Sequence, residues 1–120
     1  MILGEHGFSG RLGNASEERR QAAALGYGYY IAMFNDRIDA YIIRAYQDAP
    51  AETKAGLYLG LQGYKSKKWV SKAAYGVYKY IDTDQSLDYM DKYLSTVGLK
   101  SWESKISGFD ASALAADPDY

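Results

Sequence analysis

The chain has 120 residues, 48% of them hydrophobic and 24% charged, with 14 lysines and arginines against 15 acids and a formal net charge of -1. That is room for one small domain, and so even a balance gives no net field to hold a phosphate backbone, which speaks against a nucleic-acid partner. The absence of cysteine rules out a disulfide scaffold and thiolate metal sites.

No apolar run nears the ~18 residues that a membrane span needs, and the apolar start at 1–3 is too short for a signal peptide. The expectation is a soluble chain with no membrane partner and no defined compartment. Tyrosine occurs 13 times. Its flat apolar face and polar tip suit interfaces and sugar stacking, and equally suit half-buried helix faces.

In chain order, residues 1–10 read as a short buried strand opening into a glycine-rich loop. Asn14 followed by Glu17 has the spacing of a capping box. The helix expected over 17–36 carries Ala22, Leu25, Tyr29, Ala32 and Met33 on one stripe. Gly26 and Gly28 weaken it by about 1 kcal/mol each, which points to close packing against a neighbour.

Residues 38–46 are β-branched and aromatic and read as a second strand feeding the loop 47–50. A short extended segment over 56–63 follows, bracketed by glycines. A second helix is expected over 67–81, with Val70, Ala73, Ala74, Val77 and Ile81 on one side. A third begins near Asp82 or Thr83, is marked by Leu87, Met90, Leu94 and Val97, and stops at Gly98. The domain is drawn over 1–110, with 111–120 as a frayed tail.

Strands alternating with helices imply parallel pairing through right-handed crossovers. Two or three strands cannot cover both of each other's faces, so the expected partner is a second copy or a missing stretch of chain.

Four stretches in sequence order carry a resemblance. They are Gly4-Glu5-His6-Gly7-Phe8-Ser9; Ile38-Asp39-Ala40-Tyr41-Ile42 with Arg44 and Asp48; Gly56-Leu57-Tyr58-Leu59-Gly60-Leu61; and the run 72–83 from Lys72 to Thr83. Together they resemble the closing part of a bacterial glycosidase-like (β/α)8-barrel family of uncharacterised proteins, grouped with the retaining Glu/Glu glycoside hydrolases. The likeness spans 1–110 and corresponds to strands seven and eight with their helices. It implies an α/β partial barrel of about two βα units with parallel strands and a C-terminal helix, whose missing N-terminal barrel segment would be a partner.

It also implies Glu5 as the nucleophile, at the end of the seventh strand. A retaining glycosidase needs a second carboxylate about 5 Å from the first to protonate the leaving oxygen. The family carries that acid on an earlier strand outside this chain, so little hydrolysis is expected from the chain alone.

Around Glu5, His6 is a candidate to orient the carboxylate or bind a sugar hydroxyl, and Asp48 to accept hydrogen bonds from substrate on the same rim. Arg44 either fixes a carboxylate there or serves a structural ion pair. Tyr46, Tyr58, Gln62 and Tyr64 are candidates for a sugar platform and its hydrogen bonds. Trp69 falls within the second expected helix and reads as core. The basic run 65–68 reads as a helix start or a solvated face.

One histidine and scattered acids make no metal site, and no cofactor is expected. The loop 7–13 lacks both phosphate-loop patterns, and no Gly-x-Ser-x-Gly elbow occurs. Two functions stand side by side. One is a glycoside-hydrolase-like portion acting on or binding carbohydrate by double displacement in an intact barrel. The other is a non-catalytic Tyr-rich module for a glycan or a protein, or a truncated fragment with no activity of its own.

Overall fold

A computed structural model describes residues 2–6, 8–35, 40–43, 45–83, 85–104, 106 and 108–110, with 2–6 and 40–43 described through their backbone. The elements in chain order are β1 (Ile2–His6), α1 (Ala15–Met33), β2 (Ala40–Ile43), α2 (Pro50–Lys54), β3 (Gln62–Lys65), β4 (Lys68–Ser71), α3 (Ala73–Tyr80) and α4 (Ser86–Met90). A 3-10 turn, Asp91–Tyr93, continues from α4.

The long helix α1 is built locally. The Asn14 side chain accepts the Glu17 backbone N–H at 3.1 Å and donates to the Glu17 carboxylate at 2.6 Å, and Glu17 and Glu18 place negative charge in the first turn. The buried side of α1 carries Ala22, Ala23, Leu25 and Tyr30, which share one core cluster with Ala74, Val77 and Ile81 of the α3 region, and Ala32 is buried as well. Gly26 has a packing reason, since a Cβ there would overlap the Met90 side chain.

Tyr30 is the centre of the core. Its hydroxyl lies 2.7 Å from Ser86 Oγ, and its ring meets Trp102 and Phe109 edge-on, with centroids at 5.2 and 5.7 Å. The segment after α4 therefore turns back across α1. Phe34 closes that contact against Phe109 at 4.7 Å.

Burial pushes the Tyr30 hydroxyl from 10.0 up to about 12, against the opposing hydrogen bond from Ser86. Burial and then Tyr89 carry Tyr93 to about 12 as well. Both groups favour the protonated form in the folded state. Their stabilising contribution is therefore whole below pH 10 and is lost as pH rises from 10 through 12. An ultraviolet tyrosinate titration should show a late step near pH 12 that coincides with loss of structure, and Tyr30→Phe should shrink it. A single step completed before unfolding begins would contradict the burial of both rings.

The strands form two separate two-stranded sheets. β1 lies parallel to β2 with Ile2 opposite Ala40 and Leu3 opposite Tyr41, and the register shifts before His6 meets Ile43. β3 and β4 form an antiparallel hairpin, Gln62 opposite Ser71 and Tyr64 opposite Trp69. Its two-residue turn is Ser66-Lys67, both in the left-handed region at φ 53 and 64. That geometry matches the twist of the strands it joins.

This hairpin overturns the expected fold class. A partial (β/α)8 barrel of two βα units would continue from strand to crossover helix to strand within one sheet. Here the second half of the chain spends residues 62–71 on an antiparallel hairpin, and among the described residues no strand joins the two sheets into a barrel wall. The helix expected over 67–81 loses its first third to β4 and begins only at Ala73.

The helix expected from Asp82 or Thr83 is also shorter, ending as the 3-10 turn after α4. Arg19 of α1 donates to the Lys92 carbonyl and to Thr96 Oγ1, and the Thr96 N–H bonds the Tyr93 carbonyl at 3.1 Å. The tail 111–120 lies outside the described residues.

Candidate ligand-binding site

Residues 57–62 hold the site together. Tyr58 donates its N–H to Ser9 Oγ at 3.0 Å, and Leu61 donates to the Ala45 and Tyr46 carbonyls at 3.1 and 2.8 Å. The Tyr58 carbonyl accepts three donors, the Gly10 N–H at 2.9 Å, Gln21 Nε2 at 3.2 Å and Lys72 Nζ at 3.2 Å. A single backbone oxygen thus ties the first loop, α1 and the start of α3 to one segment.

Beneath it lies a buried ion pair. Lys72 Nζ sits 2.8 Å from Asp48 Oδ1, with side-chain exposures of 0% and 7%, and the Gly60 N–H donates to the same oxygen at 2.8 Å. Lys72 is drawn inward because its own N–H bonds the Leu61 carbonyl at 2.9 Å. Glu18 of α1 then does the capping that Lys72 cannot, accepting the Ala73 N–H at 2.9 Å.

Over this pair opens a cavity of about 750 Å³. One side is α2, through Pro50, Thr53 and Lys54. Another is the hairpin, through Tyr64, Lys65 and Trp69. Arg11 and Leu12 come from the loop before α1, and Asp48 and Tyr58 complete the lining. Tyr64 and Trp69 pair across the hairpin with centroids 5.1 Å apart, and they are 61% and 41% exposed. Large aromatic faces left open to water at a cavity mouth are the expensive feature here, because each forgoes its burial. The Arg11 guanidinium lies over the Tyr58 ring, 5.2 Å from its centroid.

The sequence candidates divide. Asp48 and Tyr58 line the cavity. Asp48 lies beyond β2, and one of its two carboxylate oxygens, Oδ1, is taken by Lys72 and Gly60. Tyr46 is exposed elsewhere, edge-on to Tyr75 at 6.2 Å, and Gln62 is bonded to Gln47 at 3.1 Å and Ser71 at 3.3 Å. Glu5 and His6 fall on β1. Their side chains, and Arg44, lie outside the described residues.

Trp69 belongs to β4 and not to a helix, which corrects its reading as core. No local pattern marked that place: Lys68, Trp69, Val70 and Ser71 run polar, apolar, apolar, polar, which is not the alternation of a half-buried strand. The basic run 65–68 is the hairpin tip and not a helix start. Nothing in the sequence announced Arg11 or Lys54 as cavity residues, because their convergence depends on the tertiary fold.

Among the described residues, no group of three or more potential ligands could hold a metal ion, and no helix is long and apolar enough to cross a membrane. A family model matches residues 1–105, a stretch that contains every cavity residue named above. The chain belongs to DUF5722, a family of unknown function. Comparison with curated proteins and with solved structures gave no match.

Proposed function

We propose that the chain binds carbohydrate in the cavity between α2 and the β3–β4 hairpin, as a binding site and not as a hydrolytic centre. The observation that carries this reading is the exposed Tyr64–Trp69 pair at a cavity of about 750 Å³. Sugar rings present apolar C–H faces that stack on aromatic rings, while their hydroxyls meet polar groups placed around them.

Binding is favoured over double displacement by the carboxylates. Retention requires two of them about 5 Å apart, one free to attack and one to donate a proton. Among the described cavity residues Asp48 is the one carboxylate, and it is committed to Lys72.

Trp69→Ala is the test. It removes an exposed ring and leaves the core intact, so the variant should fold with unchanged circular dichroism. Titration of the full chain against a panel of neutral and acidic oligosaccharides should show affinity falling about tenfold, as expected for a tryptophan anchor. A panel in which every saccharide that binds does so equally well to Trp69→Ala would sink this site as the place of binding.

A further inference from the structure

Resting on that carbohydrate reading, we infer that the cavity selects an acidic saccharide, one whose rings carry carboxylate or sulfate groups. Arg11 from the first loop, Lys54 from α2 and Lys65 from β3 bring three cations to one lining. Against them stands one carboxylate, Asp48, already neutralised by Lys72.

The chain as a whole has a net charge of -1, so this positive lining is local and not a general property of the surface. The hydrogen-bonding inventory leans the same way. Arginine and lysine only donate. Asp48 Oδ1 already accepts from Lys72 and Gly60, so the one lining carboxylate has an oxygen committed inside the protein.

A neutral sugar offers hydroxyls that need acceptors as much as donors. A ring bearing an anion supplies charge-assisted acceptors for the three cations of this lining. The Arg11 guanidinium lies 5.2 Å from the Tyr58 ring centroid, and a guanidinium can meet a carboxylate or sulfate with two parallel N–H donors. The Tyr64–Trp69 pair would stack the ring that carries the charge.

Calorimetric titration of the full chain with matched pairs tests this. Oligogalacturonate and oligomannuronate are compared with their methyl esters, and sulfated carrageenan oligosaccharides, which carry no uronate, with their desulfated counterparts. The acidic member of a pair should bind about tenfold more tightly than its neutral twin, and more weakly as salt is raised. The uronate and sulfate arms tell which anion is preferred.

Arg11→Gln and Lys65→Gln, both exposed positions, should each lower the acidic ligand's affinity about fivefold and so narrow its lead over the neutral twin. Arg20→Gln, on the exposed side of α1, should change nothing. Equal affinity within every pair would overturn charge selection while leaving carbohydrate binding in place. An Arg20→Gln loss as large as that of Lys65→Gln would overturn it too, as diffuse attraction. If no saccharide of either kind binds, the carbohydrate reading fails and this inference with it.

Discussion

Lys72→Met should cost the folded state about 3–5 kcal/mol, the penalty for leaving one member of a buried ion pair without the other. Lys72 is fully enclosed and Asp48 nearly so, with 2.8 Å between the charged atoms. After the substitution the Asp48 carboxylate keeps only the Gly60 N–H at Oδ1, and the Tyr58 carbonyl loses one of its three donors. Against a domain stability of about 5–15 kcal/mol, that leaves little margin.

Asp48→Asn should be comparably harmful, since it strands an ammonium in the same place. The double variant Asp48→Asn with Lys72→Met should recover much of the loss, because no unpaired charge remains and the asparagine oxygen can still accept from Gly60. Urea unfolding of the four proteins closes the cycle. Additive losses in the double variant would mean that the two charges do not act as a pair.

Gly60→Ala should be nearly as damaging, for a steric reason. A Cβ at this position would overlap the Asp48 backbone nitrogen and the Gln47 carbonyl carbon, and would sit 2.7 Å from Gln47 Cα. These are backbone atoms, held by the Asp48-to-Gln62 and Leu61-to-Tyr46 hydrogen bonds, and they cannot swing aside as a side chain would. The strand-like segment must move away from the loop, which breaks the Gly60–Asp48 contact at the base of the cavity. A loss of about 3 kcal/mol is expected, at the upper end of overpacking costs.

Gly56→Ala is the control. Gly56 has φ +84, and a methyl group at its Cα would meet nothing within 4 Å, so only the left-handed backbone is penalised, by about 1 kcal/mol. Comparable losses at the two glycines would show that the close approach at Gly60 is not tight.

The parts of the fold legible in the sequence are those decided within a few residues. Asn14 and Glu17 mark the start of α1 because their hydrogen bonds are made across one turn. Leu25 and Ala32 mark its buried side, although Met33 of the same stripe is 37% exposed where the helix runs past its neighbour. The glycine at 26 signalled close packing, and Met90 is what packs there.

The hairpin was not legible, and it was what overturned the barrel. Ser66-Lys67 lacks the Asn-Gly or Asp-Gly signature of a two-residue turn, and Val70 fits the helical spacing set by Ala73, Ala74, Val77 and Ile81. No alternation from Lys68 to Ser71 stands against that spacing. In the folded chain the strand is decided by pairing with residues 62–65 and by the Leu61 carbonyl, which takes the Lys72 N–H.

Local sequence therefore settles a small domain with a capped central helix, an aromatic-rich interior and no disulfide. Composition and bonding over one helical turn are enough to decide those features. Only folding buries Lys72, turns Trp69 to water, and brings Arg11, Lys54 and Lys65 to one cavity. Lysine and tryptophan are each at home in either environment. Which one they take depends on partners that lie 24 residues apart for Lys72 and Asp48, and no local pattern encodes a contact at that distance.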